Sequence, residues 1–236
     1  MSGSRGTVRK VYDIQPKSVT SNGSYDGSSA PTTSWASGTL NNPEWLSNIA
    51  EGVTDNGRVG ISVACETLDI RIKIIPQDTV IGHKYLRIFI VADNECDGAF
   101  PAYTDILGDT AGAATTSATG LELSFLQPAY FGRFKVIEDK TWAWFQGSTT
   151  SLAPDYSNCQ HPFSHIAHHD LKDHRLMWDT TDAAAIANAR RGHIFMYALY
   201  TNVVTTAGGI PTLTFADPPT IQYTSRIRFY DDGGGA

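Results

Sequence analysis

His161, His165, His168, His169 and His174 fall within fourteen residues, the densest concentration of metal-ligating and titratable groups in the chain. Neutral imidazole is the commonest metal ligand, so a metal site is the sharpest chemistry this cluster could perform. A metalloprotease would show HExxH on a helix, and a metal-binding cupin a His-x-His pair followed by Glu. Neither pattern is present, and no helical periodicity aligns His165 with His169. Metal therefore ranks last. A patch facing nucleic acid or responding to acid ranks second, since protonation below about pH 6 adds positive charge. Structural or solvated histidines rank first.

Asp93, Asn94, Glu95 and Asp97 resemble the front of an oxygen-ligand calcium loop but lack the distal Glu of an EF-hand, so a solvated loop is expected. Trp142, Trp144 and Phe145 could stack on unpaired bases, although packing in a core or contact is the commoner fate of strand aromatics. Arg226 and Arg228 share one face of the last strand, suited to phosphate or to acids across a subunit contact. No residue is assigned a catalytic role, and neither an enzyme activity nor a cofactor is expected.

Composition narrows the classes. The net charge of −6 argues against a generic nucleic-acid binder, which needs an excess of Lys and Arg. The charge is uneven, however: Arg5, Arg9, Lys10 and Lys17 make the front end locally cationic. Cys65, Cys96 and Cys159 are odd in number, widely spaced and without a CxxC pair, as expected of buried free thiols. An apolar content of 41% with 11% aromatics is enough for a sizeable core. No apolar run reaches bilayer length and no signal-peptide core is visible, so a soluble, non-secreted chain is expected.

These side chains need elements to position them. Residues 1–41 read as an arm, weakly basic and then rich in Ser, Gly and Thr. Asn42 as N-cap, Pro43 at the first turn and Gly52 at the end predict a short helix with Leu46, Ile49, Ala50 and Val53 on one face. From Arg58 the period becomes two. Ile61, Val63 and Cys65 alternate, then Leu68, Ile70, Ile72 and Ile74 on the opposite parity, which predicts a long strand with a bulge. Tyr85–Ala92 is apolar at nearly every position, as in a strand covered on both faces. Residues 93–120 predict a long loop containing a turn of helix.

Phe134/Val136 and Trp142/Trp144 flank Glu138, Asp139 and Lys140, which predicts two strands around a sharp turn. His169–Trp178, His193–Tyr200, Thr212–Phe215 and Tyr223–Tyr230 are further strand candidates, with a short helix expected over 182–192. The total is roughly eight antiparallel strands with long, unequal loops, few helices and no βαβ alternation, which fits a single all-β jelly roll. The jelly-roll domain is expected over 42–232, followed by a flexible Gly-rich tail over 233–236.

Four segments, in order, carry a family resemblance. They are Ile49-Ala50-Glu51-Gly52 with Arg58-Val59-Gly60 and the strand after it; Tyr85–Asp93 with Pro101 and Tyr103–Gly108; Phe125-Leu126-Gln127-Pro128 leading into Arg133–Thr141; and Ser225–Asp231. They resemble the coat proteins of circular Rep-encoding single-stranded DNA viruses, the circovirus-like group, over about residues 49–231. In that resemblance Arg58 onward looks like the first barrel strand, Tyr85–Asp93 the second and Ser225–Asp231 the closing one. Coat proteins of some satellite RNA viruses share the pattern more faintly.

The resemblance implies self-assembly into a small icosahedral T=1 shell of about sixty subunits enclosing circular single-stranded DNA. It implies a virion component, with assembly in the host nucleus. The implied partners are copies of the same chain, the genome and an unidentified host-cell receptor, without a membrane. Such families begin with a dense arginine-rich arm, whereas this arm holds only Arg5, Arg9, Lys10 and Lys17. Sixty such arms supply about 240 cations, too few for a kilobase-scale genome. Either the arm is truncated or unusual, or other interior groups and small cations share the task. The rival readings are a carbohydrate-binding β-sandwich with exposed aromatic platforms and a metal-dependent jelly-roll enzyme.

Overall fold

The computed structural model describes residues 16–25, 43–76, 82–108, 125–126, 132–146, 162–179, 185–205, 211–214 and 218–231. Its twelve strands, in chain order, are β1 (Lys17–Tyr25), β2 (Glu44–Trp45), β3 (Ser62–Ile75), β4 (Gly82–Asp93), β5 (Leu107–Gly108), β6 (Phe125–Leu126), β7 (Phe134–Gln146), β8 (Phe163–Trp178), β9 (Ala189–Arg191), β10 (His193–Thr205), β11 (Pro211–Thr214) and β12 (Thr220–Asp231). Among the described residues a helical turn, α1 (Tyr103–Ile106), and a 3-10 turn at Ile186–Asn188 interrupt them. No helix among the described residues is long and apolar enough to cross a membrane.

Two antiparallel sheets face each other. The first has the order β1-β12-β3-β8-β9 and the second β11-β10-β4-β7, with β2 also paired to β10. Set aside the short β9 and β11, and the path becomes clear. The first sheet reads β1-β12-β3-β8 and the second β2-β10-β4-β7, so consecutive strands exchange sheets at every step except β4 to β7, which pair directly. That is the double Greek key of a jelly roll, and the expected all-β fold class holds.

The core follows from period-two burial. Val63 and Cys65, then Leu68, Ile70, Ile72 and Ile74, point inward from β3. They meet Leu86, Ile88, Ile90, Met196 and Ala198 of the second sheet. The parity switch foreseen in β3 occurs at Glu66, where the register shifts between Cys65 and Thr67 against both neighbours. A second apolar cluster lies on the other side of β4 and β10. There Phe89, Val91, Phe195, Tyr197 and Leu199 are roofed by Cys96, Phe100, Ile106 and Leu107. The loop after β4, with its turn of helix, is therefore what buries that strand on both faces.

Four sequence expectations need correction. Glu44–Trp45 is a strand rather than part of a helix over 42–52, because Leu46 N–H donates to Ile194 O at 3.0 Å and Arg58 N–H to Ala50 O at 2.9 Å. Tertiary partners take the backbone bonds a local helix would have used. Leu46 and Ile49 are buried as foreseen, but Val53 is 90% exposed. Second, residues 134–146 form one strand, with a register shift between the partners of Ile90 and Val91. Its polar triplet does not turn: Asp139 is bound by Arg87 at 2.7 and 2.6 Å, and Glu138 by two histidines.

Third, the segment expected as a helix over 182–192 ends in the 3-10 turn and β9, since Ala189 and Arg191 pair with β8; residues 180–184 lie outside the described ones. Fourth, Lys17–Tyr25, expected inside the 1–41 arm, pairs with β12 over its whole length. The jelly roll thus begins at β1, and the strand after Arg58 is its third in sequence, not its first. The polar β1 lies at the edge of its sheet and packs Val19 against the core, so its alternation is faint.

Candidate nucleic-acid interface

Strand β8 explains the histidine cluster. His165 and His169 share the parity that points between the sheets, while His168 points out. Glu138 on β7 reaches across the gap and accepts from His165 Nε2 and, at 3.0 Å, from His169 Nε2. Lys140 Nζ donates to His165 Nδ1 at 3.0 Å, and Trp142 meets the same ring edge-on at 5.6 Å. One carboxylate and two imidazoles therefore tie the two sheets together along their β7–β8 side. Beyond the bulge in β8, His174 Nε2 donates to Gly192 O at 2.6 Å, and burial lowers its pKa. His161 lies outside the described residues. Among the described residues no group of three or more His, Cys, Asp and Glu is arranged to hold a metal ion.

His168 belongs to a different surface, the open face of β1-β12-β3-β8. Register places Thr20, Arg226, Asp69 and His168 on one rung across the four strands. Asp69 accepts from His168 Nδ1 at 2.6 Å and from Arg226 Nη2 at 3.1 Å. The hydrogen bond from His168, helped by Arg226, holds the Asp69 carboxyl below the usual carboxylate range. The next rungs are Asn22, Thr224, Arg71 and Ile166, then Ser24, Gln222, Lys73 and Ser164; on the other side Arg228 stands opposite Ser18 and Thr67. Arg71, Lys73 and Arg228 are exposed, and no ion pair among the described residues engages them.

This face is grooved. Two adjoining cavities of about 390 and 590 Å³ share Arg71, Ile166 and Thr224, and both open to solvent. Ile166 at their junction is 71% exposed. The outer face of the second sheet is roofed, whereas among the described residues nothing covers that of the first.

Other residues singled out from the sequence have structural partners. Lys17 Nζ pairs with Asp231 at 2.6 Å and donates to Gly57 O at 3.0 Å. Arg5, Arg9 and Lys10 lie outside the described residues. Asp93 is fully buried, and Arg133 occupies both of its carboxylate oxygens. Asp97 Oδ1 accepts from Ala99 N–H at 3.1 Å. Trp142 and Trp144 pack against the main core, while Phe145 is 54% exposed beside His83.

Sequence reasoning missed a buried polar knot at the start of β10. His193 Nε2 donates to Met177 O at 2.9 Å; its Nδ1 accepts from Trp45 Nε1 at 3.2 Å and lies 3.3 Å from Ser47 Oγ. Trp178 stands edge-on to its ring at 4.7 Å, and buried Arg58 stacks over Trp178 at 4.4 Å. Burial pushes the His193 pKa down to about 4. No spacing rule reveals this knot, since its members come from four distant segments. Arg71 and Lys73 were also missed as surface cations, although their i, i+2 spacing on a strand places them on one face.

No family model matches this chain, and no curated protein matches it. Among solved structures, Merkel cell polyomavirus VP1 in complex with 3'-sialyllactosamine is 12% identical, with 98% of this chain and 99% of that one covered and a TM-score of 0.30. The unassembled pentamer of Merkel cell polyomavirus VP1 is 11% identical, with 93% and 99% covered and a TM-score of 0.29. VP1 of trichodysplasia spinulosa-associated polyomavirus with 3'-sialyllactose is 8% identical, with 96% and 98% covered and a TM-score of 0.28. A likeness this low carries no function from those proteins to this chain.

Proposed function

We infer that this chain is a viral coat protein that self-assembles into a small closed shell, of about sixty copies, around single-stranded DNA. The observation that carries the reading is the strand wiring, β1-β12-β3-β8 facing β2-β10-β4-β7. Jelly rolls serve as capsid, lectin and cupin domains. The segments that resemble circovirus-like coat proteins fall on β3, β4, β7 and β12, two long strands in each sheet, and so favour the first of these.

Assembly is a matter of repeated contact. Each interface is modest, and closure multiplies it. Val53, Val59 and Ile61, exposed at 90, 50 and 46% around the entry to β3, supply apolar area for a neighbouring copy. Arg5, Arg9 and Lys10 are the arm cations directed at the genome. Lys17, held by Asp231, contributes less. Assembly takes place in the host nucleus and the mature protein resides in the virion.

Electron microscopy of the purified full chain tests the reading. Closed particles of uniform diameter are expected, with DNase-sensitive nucleic acid released on disassembly. A protein that stays monomeric at high concentration would overturn the shell, and ribonuclease-sensitive cargo would move it to an RNA virus.

A further inference from the structure

We propose that the bare face of β1-β12-β3-β8 binds the phosphodiester backbone of single-stranded nucleic acid through Arg71, Lys73, Arg226 and Arg228. The proposal rests on the coat-protein reading for its biological setting, but its chemistry stands on the face itself. The chain as a whole carries a net charge of −6, yet these four cations crowd onto two adjacent strands. The acids on the same rungs are Asp69, already bound by His168 and Arg226, and Asp170, bound by Lys172 at 3.4 Å. Glu66, in the β3 bulge beside Thr67, accepts from Tyr230 Oη at 3.5 Å, and among the described residues Arg71, Lys73 and Arg228 carry no ion pair, so the surplus positive charge is local.

Geometry favours a linear polyanion over a compact anion. Along a strand, residues i and i+2 stand about 7 Å apart, and neighbouring strands are about 4.8 Å apart. Arg71 and Lys73 on β3, with Arg226 and Arg228 on β12, therefore form a ladder of donors rather than a pocket. The groove that joins the two cavities runs past Arg226, Arg71 and Lys73 without closing around anything, and Arg228 stands one rung beyond it. Thr20, Thr224 and Ser164 add neutral hydroxyl donors along it, and exposed Ile166 offers an apolar contact to sugar or base. A guanidinium fork fits phosphate bidentately, and its plane can also stack on an unpaired base.

Asp69 has a positioning role here. By taking one Arg226 nitrogen and the His168 ring, it holds both side chains across the strands and leaves the Arg226 side chain 47% exposed. An acidic peptide shares the charge but not the regular phosphate repeat. Ribose and deoxyribose strands share the backbone chemistry, so the face should accept either.

The test uses the full chain in fluorescence anisotropy with oligo-dT and oligo-rU of equal length across a salt series. Arg71→Gln/Arg228→Gln should weaken binding at least tenfold and lower the log–log salt slope by about 1.4, two contacts' worth for a single strand. Lys135→Gln/Lys140→Gln removes the same charge from β7 of the other sheet and should leave both quantities close to wild type. Arg71→Lys/Arg228→Lys should restore most of the salt slope.

Equal loss in the two Gln variants would overturn the proposal, because net charge alone would explain binding. So would a preference above tenfold for oligo-rU, or tighter binding of a poly-glutamate of equal charge. Electron microscopy of Arg71→Gln/Arg228→Gln separates this from the coat-protein reading. Particles that form while oligonucleotide binding is unchanged sink the face alone; a wild-type monomer that binds oligonucleotide through these residues sinks the shell alone.

Discussion

Arg133 donates from Nε and Nη2 to the two carboxylate oxygens of Asp93, at 2.9 and 2.8 Å, and Asp93 is fully buried. The pair joins the end of β4 to the turn that opens β7. The Asp93 hydrogen bond is the main cause that raises the Arg133 pKa. Asp93 also accepts from Glu95 N–H at 3.0 Å, and its carbonyl accepts from Gly192 N–H at 2.7 Å. The Asp93 carboxylate and carbonyl together join three segments of chain.

Removing one partner strands the other. Arg133→Ala should destabilise the fold by about 3 kcal/mol, because it leaves an uncompensated buried carboxylate. Urea denaturation of Arg133→Ala, compared with Arg133→Ala/Asp93→Asn, measures this. The double variant should recover part of the loss, and a single variant as stable as wild type would refute the account.

Acid should weaken the fold through His193. Its folded pKa, about 4, lies below the ordinary histidine value because burial among Trp45, Ser47 and Trp178 disfavours the charged ring. The unfolded chain therefore binds the proton first. Stability is full above about pH 6.5 and declines as pH falls toward about 4, by on the order of 3 kcal/mol over that window. His174, lowered in the same direction by burial, adds to the slope. Thermal unfolding of wild type and His193→Gln between pH 7 and pH 4.5 should show a smaller acid-induced loss in the variant.

Cys65 and Cys96 should be inert while the chain is folded. Burial pushes both thiols up to about 12, so almost no thiolate exists at pH 8. Alkylation followed by peptide mass mapping should find both unmodified in native protein and both modified in denaturant. Rapid native labelling of either would contradict the packing around β3 or β4.

The sheets should loosen along one side when Glu138 is lost. Glu138→Ala removes the acceptor shared by His165 and His169 and leaves both rings without it. A loss of about 2 kcal/mol is expected. Hydrogen exchange should speed in β7 and β8 more than in β12, and uniform protection across all three strands would argue against an inter-sheet tie.

Much of the fold could be read from the chain because strand burial has a period of two. The alternation in β3 and β12, the bulge at Glu66 and the doubly covered β4 each follow from side-chain parity. The failures share one cause. Residues 43–52 have a helix's local signals, and Glu138-Asp139-Lys140 a turn's, but long-range partners claim their backbone and side-chain bonds. β1 escaped notice because its Ser, Thr, Asn and Gly residues carry little apolar signal, and its place in the sheet depends on β12, about two hundred positions away.

The histidine cluster marks the same boundary. Sequence alone determined that five imidazoles lie close along the chain, that their spacing fits no common metal motif and that the body is an antiparallel β-sandwich. Strand pairing decided the rest. Successive residues on a strand point to opposite sides, so β8 sends His165 and His169 to Glu138 between the sheets and His168 to Asp69 and Arg226 on the bare face. Which acids and which cations each would meet depended on registers between distant strands, which no local pattern specifies.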